Sequence, residues 1–185
     1  MDSPVFCESC STLYPVDTSE DHFRLFGLPR RYSIDTDDLH RRFLSISRNI
    51  HPDFFGNQPA EMRNLALRLS AQVNEAYRTL RDPLLRAEYM LESAGGKSSA
   101  ADKSVPEDLL AEVMALREEI ENASASGDSG ALAALRRRIE SRRRDIEAQV
   151  TALCEQLDEP SDRVRSDLRR QLNAWRYLNN LLGRC

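Results

Sequence analysis

The sequence predicts an all-α protein, a helical hairpin followed by an antiparallel three-helix bundle. Three observations carry this expectation. Strong helix formers (Ala, Leu, Arg, Glu) dominate, and few windows alternate with the two-residue period of a strand. Apolar residues recur at helical spacing in stretch after stretch, each leaving one apolar stripe. Gly and Pro stand mostly at the ends of those stretches. Composition agrees: of 185 residues, 41% are hydrophobic and 30% charged, enough for a core and unlike a disordered chain. Seven Gly and eight Pro exclude collagen-like and low-complexity classes.

The elements follow in order. Residues 1–19 contain Pro4, Pro15 and a Cys7-Glu8-Ser9-Cys10 pair, and read as an irregular arm. A short helix is expected from Glu20 to Phe26, stopped by Gly27 and Pro29. Asp35 or Thr36 caps the next helix, with Asp37 and Asp38 in its first turn. Leu39, Phe43, Ile46 and Ile50 form its apolar stripe, and Pro52 ends the run. A third helix starts near Pro59, carries Met62, Leu65, Leu69, Val73, Ala76 and Leu80, and stops at Asp82-Pro83. A short segment from Pro83 to Glu92 ends before Gly95-Gly96. Residues 97–105, rich in Ser, Ala and Lys, are the best linker, and a domain boundary is placed there. Beyond it, Glu107–Asn122 is helical, Ser124–Gly130 reads as a turn, and a long helix runs from about Ala131 to Leu157. Glu159-Pro160 breaks it, and a last helix carries Val164, Leu168, Leu172, Trp175, Leu178 and Leu182. Three amphipathic helices with short connections make an antiparallel bundle.

Charge and hydropathy narrow the function. Twenty-six Lys+Arg against 30 Asp+Glu give a net charge of −4, which argues against a protein that coats nucleic acid. No run approaches the ~18 apolar residues of a membrane helix, and Met1-Asp2-Ser3-Pro4 lacks a basic leader region, so a cytoplasmic protein with no membrane partner is expected. The three histidines, His22, His40 and His51, are not paired with a nucleophile and an orienting carboxylate at recognisable spacing. No phosphate-cradling Gly-rich loop is present either. The expectation is therefore a non-catalytic protein.

His51-Pro52-Asp53 lies between the two long helices of the first module. Alone, the tripeptide reads as a turn. From Leu39 to His51, however, there are three Arg and no acid, with Arg41, Ser45 and Arg48 opposite the apolar stripe. That is either a solvated face or a basic docking face for an acidic partner. After the loop come Asn74-Glu75-Ala76-Tyr77, Leu80-Arg81-Asp82-Pro83, Arg86 and Tyr89. With the opening His22-Phe23-Arg24-Leu25-Phe26-Gly27-Leu28-Pro29, these motifs resemble the J-domain family, co-chaperones of seventy-kilodalton heat-shock ATPases. Phe26-Gly27-Leu28-Pro29, Leu84-Leu85-Arg86-Ala87-Glu88-Tyr89 and Leu116-Arg117-Glu118-Glu119 make residues 21–183 similar to the HscB family, J-proteins of iron–sulfur cluster assembly. The resemblance implies a J-domain over 20–96, a scaffold-binding bundle over 106–185, an HscA-type ATPase partner and an IscU-type scaffold client. It gives the ATPase-engaging role to His51, Pro52 and Asp53, and to Arg41, Arg42 and Arg48 on the basic helix.

On the first bundle helix, Leu109, Val113, Leu116 and Ile120 form the core stripe, while Leu110 and Met114 point about 90–130° away from it. Between Glu107 and Glu121 stand six acids and one Arg. Leu110 and Met114 belong either to a broad core face or to a partner-binding patch rimmed by acid. The resemblance favours the patch, at Leu110, Met114 and Glu118, with support from Tyr177 and Leu181 of the last helix. Arg136, Arg137, Arg138, Arg142, Arg143 and Arg144 on the long helix invite a nucleic-acid reading. Interleaved acids and the lack of aromatics favour instead a solvated face pairing with the acidic first helix.

Cys7 and Cys10 have the spacing of half a zinc site, but a closed site takes four ligands, and Cys154 and Cys185 are distant. The expectation is no resident cofactor, with zinc at Cys7 and Cys10 the alternative. The rival functions are a general J-protein and a zinc or redox protein built on that pair. A general J-protein follows its J-domain with a Gly/Phe-rich stretch and β-rich client domains, which this sequence lacks. A monomer is expected.

Overall fold

Aspartate side chains start three of the four α-helices described in the N-terminal half, the one after Pro59 being the exception. In the computed structural model, which describes residues 5–7, 12–15, 21–157 and 161–184, the Asp21 carboxylate accepts from the Phe23 N–H and opens α1 (His22–Leu25). Asp35 accepts from the Asp37 and Asp38 N–H groups and opens α2 (Thr36–Asn49). Each cap satisfies amides that the first turn of a helix leaves unpaired. A single 3₁₀ turn, Pro52–Phe55, separates α2 from α3 (Ala60–Arg81). Asp82 ends α3 in extended geometry and accepts from the N–H groups of Leu84 and Leu85, which starts α4 (Pro83–Ser93) with proline in its first position.

The chain divides into two compact units, residues 1–86 and 87–185, so the division falls inside α4. In the first unit α1 and α2 both pack on α3. Of the predicted stripes, Leu39, Ile46, Ile50, Leu69, Val73, Ala76 and Leu80 are buried together with Phe23 and Phe26, while Phe43, Met62 and Leu65 are half-buried. Arg86 is buried as well: its guanidinium donates to the Leu80 carbonyl and lies 5.0 Å from the centre of the Tyr32 ring. Phe43 stacks on Tyr77 at 4.0 Å, and the Tyr77 hydroxyl meets His40 Nδ1 at 2.8 Å, which ties α2 to α3.

The arm is more ordered than its composition predicts. Phe6 and Leu13 form an isolated antiparallel bridge, with Cys7 N–H donating to the Thr12 carbonyl and Tyr14 N–H to that of Val5, each at 2.9 Å. Val5, Phe6 and Leu13 are buried, and that burial stabilises a pairing too short to stand alone.

In the second unit α5 (Glu107–Ser126), α6 (Ser129–Cys154) and α7 (Asp162–Leu182) pack pairwise against one another. The turn between α5 and α6 is shorter than expected. Ser124 to Ser126 remain helical because Gly127, at φ +69°, supplies a left-handed cap, and Asp128 accepts from the Ala131 N–H to start α6. Where the apolar stripe of α6 is interrupted, Arg142 reaches α5 and pairs with Asp108 at 2.8 Å and Glu112 at 3.1 Å. Arg138 pairs with Glu119 in the same way. The basic run thus meets the acidic helix, as the charge pattern predicts.

Arg169 of α7 is 1% exposed, and its guanidinium pairs with the Glu88 carboxylate at 2.7 Å. Arg176 reaches the other oxygen of Glu88 at 3.0 Å. Arg169 Nε–H also donates to the Lys97 carbonyl, and the Asn173 amide donates to the carbonyls of Asp102 and Ser104. Residues 97–105 carry no helix, yet their carbonyls are held by α7 side chains.

Candidate functional site

The end of α2 sets the first candidate surface. Ile50 closes the helix, and His51 is extended at φ −61° and ψ 126°, as the following proline requires. Pro52 opens the 3₁₀ turn. His51 Nδ1 accepts from the Asp53 N–H at 3.4 Å and lies 3.6 Å from the Asp53 carboxylate. The His51 ring meets the edge of Phe54 at 5.9 Å between centres. His51 and Asp53 are exposed and Pro52 is half-buried. Local bonds therefore fix the loop while its polar groups face outward, an arrangement suited to recognition. Among the described residues no nucleophile and base come together there.

The three arginines of α2 do not share one role. Arg41 is exposed, with an ion pair to Asp38 at 3.1 Å. Arg48 is exposed and has no ion pair or hydrogen bond among the described residues. Arg42 departs from the expected docking role. Its guanidinium is half-buried, pairs with Asp38 at 2.7 Å and donates to the carbonyls of Phe26 and Gly27. It fastens the turn after α1 to α2. The hydrogen bond from Arg42, joined by the charges of both arginines, holds the Asp38 carboxyl below its ordinary range despite opposing desolvation.

The second candidate surface is on α5. Leu110 is 55% exposed and Met114 67%, so neither belongs to the core. Glu118, one turn further on, is exposed too. Tyr177 of α7 is partly exposed and lines a cavity of about 270 Å³ with Ser99, Lys103, Asn173, Arg176 and Asn180. Leu181 is placed differently from the expectation: it is 3% exposed, inside the bundle. It follows Leu178 by three residues, so the core stripe of α7 takes it in.

Sequence reasoning passed over Phe54, the most exposed of the large apolar residues described, at 72%. The available signal was the Phe54-Phe55 pair, which a tight turn cannot bury on both sides. Cys7 is half-buried, next in sequence to the bridging Phe6, while Cys10 lies outside the described residues. Among the described residues no three His, Cys, Asp or Glu side chains gather as a metal site. No described helix is long and apolar enough to cross a membrane.

Comparison with known proteins bears on the chain as a whole. The family model for the HSCB C-terminal oligomerisation domain matches residues 105–184. The crystal structure of the human co-chaperone protein HscB is similar with a TM-score of 0.84 and 25% identity, over 99% of this chain and 89% of that one. The chaperone HscB from Vibrio cholerae is similar with a TM-score of 0.75 and 32% identity, over 89% of this chain and 94% of that one.

Proposed function

Since the chain belongs to the HscB family of co-chaperones, we propose that it serves iron–sulfur cluster assembly by joining two proteins. The bundle binds an IscU-type cluster scaffold through Leu110, Met114, Glu118 and Tyr177. The loop His51-Pro52-Asp53, with Arg41 and Arg48, docks on an HscA-type heat-shock ATPase and stimulates its hydrolysis. The observation that carries this reading is the pair Leu110 and Met114. Two large apolar side chains stand in water, one turn apart, on the most acidic helix of the chain.

The mechanism is physical rather than covalent. Carrying both sites on one chain raises the effective concentration of scaffold at the chaperone, so capture becomes an intramolecular event. The exposed arginines accelerate encounter with an acidic surface. Stimulated hydrolysis then closes the chaperone on the delivered scaffold. The test is steady-state ATP turnover by a purified HscA-type chaperone, with this protein and an IscU-type scaffold added separately and together. Stimulation by this protein, increased further by the scaffold, is expected. No stimulation in either case would refute the reading.

A further inference from the structure

Phe54 exposes 72% of its surface immediately after the His51-Pro52-Asp53 loop. The turn does not need its ring. Main-chain bonds from Phe54 N–H to the His51 carbonyl, Gly56 N–H to that of Asp53 and Gln58 N–H to that of Phe55 close the turn. Phe55 and Pro52 are the half-buried apolar residues of the turn. Among the described residues the one ring contact of Phe54 is an edge-on approach to His51. An aromatic side chain kept in water gains nothing for folding, and buried aromatics dominate protein interfaces. The helix that leads into the loop indicates the chemistry of what covers Phe54: Arg48 stands exposed with no described ion pair, and Arg41 lies two turns back along the same face of α2.

We infer that Phe54 is the apolar anchor of the loop, entering an apolar socket rimmed by carboxylates on the ATPase chaperone. This rests on the docking role proposed above and assigns a distinct part within it. Phe54 sets how tightly the loop binds, whereas His51 acts in stimulation once the loop is bound. The apolar ring would desolvate in the socket while the exposed arginines meet its acidic rim.

The experiment titrates the full chain, as wild type, Phe54→Ala, Phe54→Trp and His51→Gln, against a purified HscA-type chaperone and reads ATP turnover. Phe54→Ala is expected to raise the half-maximal concentration about tenfold or more with the plateau retained. Phe54→Trp should return it to within about threefold of wild type, as a large aromatic anchor does. Thermal unfolding should be unchanged in both, since the ring is exposed. A half-maximal concentration for Phe54→Ala within twofold of wild type, while His51→Gln abolishes stimulation, overturns the anchor and leaves the docking role standing. Full stimulation by His51→Gln overturns the docking role itself. A lowered plateau at unchanged half-maximal concentration also overturns the anchor, as does wild-type self-association in sedimentation that Phe54→Ala removes, because the occupant is then a second copy.

Discussion

The Arg42 guanidinium donates to the Gly27 carbonyl at 3.1 Å and stands 3.3 Å from where a side-chain carbon on Gly27 would be. Gly27 sits at φ +60°, in the left-handed region that disfavours any Cβ. The conformation of one residue and the reach of the other thus close the same turn.

Arg42→Ala should destabilise the first unit by about 1–3 kcal/mol, because two carbonyls lose a charge-assisted donor. Arg48→Glu, by contrast, should cost less, no more than about 1 kcal/mol for the cation lost from the last turn of α2, since its side chain has no described hydrogen bond or ion pair to break. Its effect should be slower association with the ATPase at low salt, converging with wild type as screening shortens to ~3 Å near 1 M. Calorimetry and stopped-flow association on the two variants separate structural from steering arginine. Equal stability losses would contradict the division of roles.

Asp38 gives the same pairing a pH dependence. Its carboxyl is held low in the folded protein, first by the hydrogen bond from Arg42. A carboxyl depressed on folding contributes stability above its unfolded value and loses it as pH falls through the folded one. Acid unfolding of wild type should therefore steepen below pH ~4, and Asp38→Asn should flatten that limb. Superimposable acid titrations of the two proteins would exclude Asp38 as a contributor.

His51→Gln should abolish stimulation of the ATPase while the helix content and the scaffold affinity stay as in wild type. The ring is exposed and makes only local contacts, so the fold has little to lose. Circular dichroism and scaffold titration report on the fold, and ATP turnover reports on the loop.

Leu110→Ala with Met114→Ala should barely move the melting temperature. Each should weaken scaffold binding by ~1–2 kcal/mol, as interface anchors do. A stability loss of ~2–5 kcal/mol, the signature of a core truncation, would place them inside the protein instead. Isothermal titration together with thermal melts of the double variant distinguishes these outcomes.

Much of the fold was legible because helical periodicity is a local signal: Leu39, Ile46 and Ile50, and Leu69, Val73, Ala76 and Leu80, are buried as their spacing predicts, with Phe43, Met62 and Leu65 of the same stripes half-buried. The end of α5 was not, since Ser124 and Ser126 resemble turn residues. The Ser126 hydroxyl instead donates to the carbonyls of Asn122 and Ala123, and Gly127 closes the helix. The bridge between Phe6 and Leu13 depends on a pairing that no periodicity announces. At the candidate sites, a helical projection set Leu110 and Met114 off the core stripe but left a broad core face open, which their exposure excludes. The projection put Arg41 and Arg48 opposite the stripe of α2 without Arg42, yet the resemblance gave all three one role; the carbonyls that Arg42 binds lie 15 and 16 residues earlier in the chain, beyond a local pattern.

The pairing of Glu88 with Arg169 decides how the protein can be taken apart. A cleavage or expression boundary placed in the Ser- and Lys-containing stretch of residues 97–105 would send Glu88 away with the N-terminal piece. The C-terminal piece would then keep Arg169 in its interior without that carboxylate, and a buried charge deprived of its partner costs about 3–5 kcal/mol. A free bundle prepared that way would lose that acid along with the buried Ala87, Met90 and Leu91 of the same unit. Dissection that begins at Ala87 keeps the acid with its arginines, at the cost of dividing α4.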